Sequence, residues 1–223
     1  NTILKNVKEN EIIFFDKWDK GYYIRGNDIY YEAIKLDGIN INDFQYINPE
    51  RSFSYIKSTK NVYLYRKKII GADPKTFKIS FEGYLISQDK NHVYYKNNIL
   101  KGADSKTFDM VHFGHAKDKN NAYYYGKKIE GADAKTFDII EPCAFGFSRD
   151  SISVYYEDKK IPGSDPETFE ILGENGYSKD KNHVYFENHI IDGADIKTFR
   201  ALAGKIAEDK NNYYKSEKIS GKK

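Results

Sequence analysis

One cysteine, one methionine, one tryptophan and five prolines are spread over 223 residues. Cys143 has no second thiol to pair with, which excludes an intramolecular disulfide and a cysteine metal cluster. No apolar run approaches the roughly 20 residues that a membrane helix needs, so no transmembrane segment is expected. Neither sign of charge dominates. Thirty-six basic residues face 33 acidic ones for a net charge of +3, with Lys interleaved among Asp and Glu. That pattern describes a solvated surface, not a polyanion-binding stripe, and no nucleic-acid partner is expected. A phosphate-binding glycine loop and a nucleophilic serine elbow are missing as well.

Rings are what the chain has in quantity: 16% of it is aromatic and 20 residues are Tyr. They recur in a phrase about thirty residues long. Read from Val93 it comprises Asp89-Lys90-Asn91-His92-Val93-Tyr94-Tyr95, then Leu100, Gly102-Ala103-Asp104 and Thr107-Phe108. The phrase restarts at Val62, Ala122, Val154 and Val184, in degraded form at Ile29 and in truncated form at Tyr213. A fixed period of this length means one supersecondary unit per copy, stable only against its neighbours. The interval from the first hydrophobic residue to the Phe is constant: 62 to 77, 93 to 108, 122 to 137, 154 to 169 and 184 to 199. Length varies instead after the Phe.

Within one copy, a short strand at Gly83-Tyr84-Leu85-Ile86, the turn formers Asp89-Lys90-Asn91-His92 and the strand Val93-Tyr94-Tyr95 read as a β-hairpin. A second tight turn is expected at Asn97-Asn98, Gly126-Lys127 and Asp158-Lys159, leading into a return strand. Gly-Ala-Asp follows, with Gly suited to positive φ and Asp placed to cap one helical turn that the Phe anchors to the sheet. The expected fold is therefore all-β, with tandem hairpin or meander repeats and one helical turn per repeat. An open or weakly curved stack is favoured over a closed β-propeller, because thirty residues is short for a four-stranded blade. The apolar run Ile12-Ile13-Phe14-Phe15 would either complete the truncated last copy and close a ring or cap an open stack. Residues 1–28 read as a divergent N-terminal cap and 29–223 as one repeat domain of about seven units.

The phrase Asp-Lys-Asn-X-Val-Tyr-Tyr followed by Gly-Ala-Asp-X-Lys-Thr-Phe resembles the bacterial DKNYY family. Asp89-Lys90-Asn91, Asp118-Lys119-Asn120, Asp180-Lys181-Asn182 and Asp209-Lys210-Asn211 carry its opening triplet, whereas Asp150-Ser151-Ile152 and Ser58-Thr59-Lys60-Asn61 depart from it. The resemblance implies the repeat fold and an exported or envelope setting in a bacterium, periplasmic or at the cell surface. It confers no catalytic residue.

Candidate binding residues fall in two groups. The first is the tyrosine row Tyr30, Tyr63, Tyr94, Tyr123, Tyr155 and Tyr185, continued by Tyr214. Strand alternation sets it opposite Val62, Val93 and Val154. Such a row either lines a binding surface or packs within each unit, and the second reading weighs more, since a feature present in every copy usually builds the copy. The second group departs from the repeat: Trp18, Glu50, Arg51 and Phe53, and Phe145 beside Cys143 in a long connection. The Asp-Lys-Asn turn offers too few oxygens for calcium. His112 and His115 lack a third ligand at zinc spacing. No catalytic residue, metal or cofactor is expected. The function expected from these features is non-enzymatic: a scaffold that binds another protein, one specific form being an immunity protein against a secreted toxin. The alternative is a glycan- or cell-wall-binding module that uses the tyrosine row.

Overall fold

A computed structural model of the chain describes residues 12–15, 21–47, 55–81, 85–112, 114–140, 146–173 and 175–223. The described residues form seven four-stranded antiparallel sheets and no helix. They divide into two compact units, residues 1–108 and 109–223. The first unit holds three sheets, spanning 12–40, 45–68 and 78–99. The second holds four, spanning 109–128, 138–160, 170–190 and 200–222. In every sheet the strands lie in chain order, so each is a meander.

The sixth sheet shows how little chain a sheet needs. Its strands are Glu170–Ile171, Tyr177–Lys179, Val184–Phe186 and His189–Ile190, two or three residues each. Thirty residues therefore do accommodate four strands, contrary to the premise drawn from length, because tight turns consume most of the remainder. No sheet closes into a barrel, and within each unit the sheets follow one another as an open array. The seventh sheet supplies all four of its own strands, ending with Lys218–Lys222. The run Ile12–Phe15 does not complete it, since it pairs with Gly21–Arg25 in the first sheet. The boundary expected after residue 28 also falls inside that sheet, within the strand Asp28–Tyr31 that pairs with Gly21–Arg25. The divergent N-terminal segment thus contributes half of the first sheet.

Local chemistry explains the turns. Each glycine of the Gly-Ala-Asp phrase has positive φ, from 69° at Gly163 to 84° at Gly71. The following Asp caps a single helical turn: Asp73 Oδ1 accepts the Lys75 amide at 3.0 Å, and the Phe77 amide reaches the Asp73 carbonyl at 3.0 Å. The second tight turn lies one residue earlier than expected, at Lys96-Asn97, Tyr125-Gly126 and Glu157-Asp158, with positive φ at Lys96, Tyr125 and Glu157.

Packing runs from sheet to sheet. Val93 and Tyr94 point to opposite faces, yet both are fully buried. Within a unit, a sheet that lies between two others is covered on both sides. In the second unit, Phe147, Val154, Ile161 and Phe169 form one cluster with Tyr185 of the next sheet. Tyr177, Val184, Phe186 and Phe199 do the same with Tyr214. In the first unit, Val62, Leu64 and Phe77 receive Tyr94. Within each unit the hydrophobic face of a sheet thus meets the tyrosine face of its successor, and the ring packs on the preceding Phe: Phe169 to Tyr185 is 5.8 Å and Phe199 to Tyr214 is 5.3 Å between centroids. Burying rings of about 150–250 Å² apiece makes these joints the main apolar contribution to the fold.

Candidate functional site

Beneath each of these tyrosines lies a carboxylate from the turn that opens the same copy. In the sixth sheet, Asp180 is buried, and its Oδ1 accepts the backbone amides of Asn182 at 2.7 Å and His183 at 2.8 Å. Its Oδ2 accepts the Tyr185 hydroxyl at 2.8 Å and the Asp165 amide at 2.8 Å. The last of these bonds leaves the copy, because Asp165 belongs to the Gly-Ser-Asp turn of the one before. Asp89, Asp150 and Asp209 repeat all four contacts, reaching back to the amides of Asp73, Asp133 and Asp195. Asp118 holds the amides of Asn120 and Asn121 and the Tyr123 hydroxyl in the same way.

Four donors around one buried carboxylate fix its charge state. Burial pushes the Asp180 carboxyl up, but the amides of Asp165, Asn182 and His183 and the Tyr185 hydroxyl outweigh it and hold it below the usual range. At Asp209 the same balance leaves a pKa of about 2. The phenols move the other way. Burial and the neighbouring anion raise Tyr155 and Tyr214 to about 12, so neither is a nucleophile or a base near neutrality.

The remaining letters of the phrase are engaged at the same joint. Thr168 Oγ1 accepts the Lys181 amide at 3.2 Å, and Lys181 forms an ion pair with Asp165. Lys210 pairs with Asp195 at 2.6 Å and Lys90 with Asp73 at 3.3 Å. With lysine side chains 58% and 62% exposed, these pairs contribute little.

The tyrosine row is therefore core. Tyr63, Tyr94, Tyr123, Tyr155, Tyr185 and Tyr214 are all nearly or fully inaccessible to solvent, which corrects their assignment as candidate binding residues. Tyr63 lacks the aspartate; Ser58 takes its place, with its oxygen accepting the Asn61 amide at 3.0 Å, and the Tyr63 hydroxyl donates to the Asp37 carbonyl. Tyr30 alone is half-buried, stacked on Tyr23 at 5.2 Å and 12°. Trp18, Glu50, Arg51, Phe53, Cys143 and Phe145 lie outside the described residues. His92 and His183 sit at equivalent turn positions, each with Nδ1 3.3 Å from the hydroxyl of the tyrosine two residues on. His112 is exposed and His115 is buried, on paired strands. Among the described residues no group of three or more His, Cys, Asp or Glu side chains is placed to hold a metal ion. Among the described residues no helix is long and apolar enough to cross a membrane.

The aspartate hub was missed at the sequence level, although spacing carried it. Asp89, Asp118, Asp150, Asp180 and Asp209 each stand five residues before a row tyrosine, the separation that sets turn and strand side chains together across a tight hairpin.

No curated protein and no solved structure matches the chain. The DKNYY family matches residues 1–98, 96–159, 147–195 and 159–218. With the Asp-Lys-Asn turn and its tyrosine recurring through both units, the chain belongs to the DKNYY family.

Proposed function

We propose that this chain is a non-enzymatic scaffold that binds another protein, exported or held at the bacterial envelope, with an immunity protein against a secreted toxin as one specific form. The observation behind this reading is the division between constant and variable positions. The residues repeated in every copy are engaged inside the joints. By contrast, the exposed position just before each repeat glycine differs in every copy: Ile70, Lys101, Glu130, Pro162 and Asp192. Within the second unit alone, Glu130, Pro162 and Asp192 vary on the outside of a scaffold that is constant inside, a pattern of the kind that recognises one particular partner. The glycan reading loses the feature that motivated it, because the tyrosine row is buried.

The test is capture of partners from lysate and envelope fractions of the native bacterium, with soluble wall glycans as competitor. A single stoichiometric protein, retained despite glycan and lost when Glu130 and Asp192 are changed to Ser, supports the proposal. Retention of wall polymer that glycan releases would overturn it.

A further inference from the structure

His115 occupies a position that its sister sheets fill with Tyr55, Ile86, Phe147, Tyr177 and Ile206. It is fully buried, with its ring 4.7 Å from Tyr124 and 6.0 Å from Phe137, the ring on which Tyr155 of the fifth sheet packs. Two sheets on, the same position shows how a polar group is accommodated. The Tyr177 hydroxyl crosses the joint and donates to the carbonyls of Lys205 and Ser216, each at 3.0 Å. Tyr22 does likewise to the Tyr65 carbonyl at 2.8 Å. Facing His115, the positions equivalent to Lys205 and Ser216 are Gly146 and Glu157, and the Gly146 carbonyl already accepts the Glu157 amide at 2.6 Å. The imidazole nitrogens approach the backbone of His112 and Gly146, but neither makes a hydrogen bond of good geometry.

We propose that His115 is a proton-operated latch on the joint between the fourth and fifth sheets. Neutral, the ring packs as an aromatic residue against Tyr124 and Phe137. Protonated, it becomes a cation that must regain water, and the least costly route is separation of this one joint, which exposes Phe137 and Tyr155. The charged and titratable groups around it are His112 on the paired strand, Tyr124 and Tyr125 on the next strand and Glu157 on the facing sheet. His112 is exposed, and the Glu157 side chain lies at the surface, so neither supplies a buried counter-charge. Burial is the dominant influence and lowers the His115 pKa from 6.5 to about 4, against a smaller upward pull from the backbone of His112 and Gly146. Between those two values the opened joint binds the proton and the closed one does not, so opening becomes easier as pH falls.

The experiment is hydrogen exchange on the full chain near neutral pH and near pH 4.5, comparing wild type with His115→Phe and His115→Tyr at each pH. Phe is the sister residue at 147, and Tyr recreates the hydroxyl that bridges the joint at 177. The expected result is faster exchange in acid for the wild-type strands His115–Lys117, Ala122–Tyr124 and Phe147–Arg149, by on the order of 50- to 100-fold over either variant. Ile206–Glu208 should be unchanged between proteins. Equal acid sensitivity in wild type and both variants, or loss of protection spread evenly over all joints, would overturn the proposal.

Discussion

The Tyr185 hydroxyl donates to Asp180 Oδ2 at 2.8 Å, and the same oxygen accepts the Asp165 amide from the preceding copy at 2.8 Å. One atom thus closes a hairpin and fastens that hairpin to its neighbour. The carboxylate has no apolar substitute, because a residue without an acceptor there would leave buried amides and a buried phenol unpaired.

Asp180→Asn tests that role with almost no change of shape. The amide nitrogen accepts no hydrogen bond, so one side of the clasp loses its acceptor, and the expected loss is about 3 kcal/mol in urea unfolding. Tyr185→Phe removes one donor and should cost about 1 kcal/mol, and less than additively in the Asp180→Asn background. Additive losses would mean that the two residues do not act as one unit.

Acid should unfold the chain in a way traceable to the hubs. The carboxyls of Asp89, Asp150, Asp180 and Asp209 are depressed in the folded protein. Their stabilisation is complete above the ordinary carboxylate range near 3.8 and is lost as pH falls toward about 2, the folded value at Asp209. Circular dichroism at fixed urea should therefore show a steep loss below pH 4, shallower in Asp209→Asn. A slope unchanged by that substitution would argue against the hub as its source.

The repeat, its constant interval, the capped Gly-Ala-Asp turn and the buried Phe were legible in the sequence because each depends on neighbours in the chain. The fate of the tyrosine row was not. Alternation correctly set Val154 and Tyr155 on opposite faces, but only the presence of a second neighbouring sheet buries both. The extent of the first sheet was also hidden, since Gly21–Arg25 lacks the repeated phrase and is recruited by pairing with Asp28–Tyr31. The varied outer positions were readable only once exposure was known.

Buried serines give a prediction of opposite sign. Ser178 is fully buried with no partner for its hydroxyl, and the equivalent positions in the fourth and seventh sheets are Ala116 and Ala207. Ser178→Ala should leave stability unchanged or raise it by up to about 1 kcal/mol in urea titration. A loss above that size would reveal a hydrogen-bonding role.

Two glycines separate strain from collision. Gly102 and Gly114 have φ of 80° and 82°, but a Cβ on Gly102 meets nothing within 4 Å, whereas one on Gly114 would lie 2.5 Å from the Tyr125 ring. Gly102→Ala should cost about 1 kcal/mol through backbone strain alone, and Gly114→Ala distinctly more in thermal unfolding. Equal losses would show that Tyr125 swings aside freely.

Because the Asp180 clasp draws one of its donors from the copy before, the unit of sequence and the unit of structure are offset, like roof tiles that each overlap the next. The turns at Asp73, Asp133, Asp165 and Asp195 meet their successors through the same amide contact. Duplicating or deleting one such phrase would preserve that clasp, so these copies are suited to gain or lose repeats in single steps without redesigning a joint.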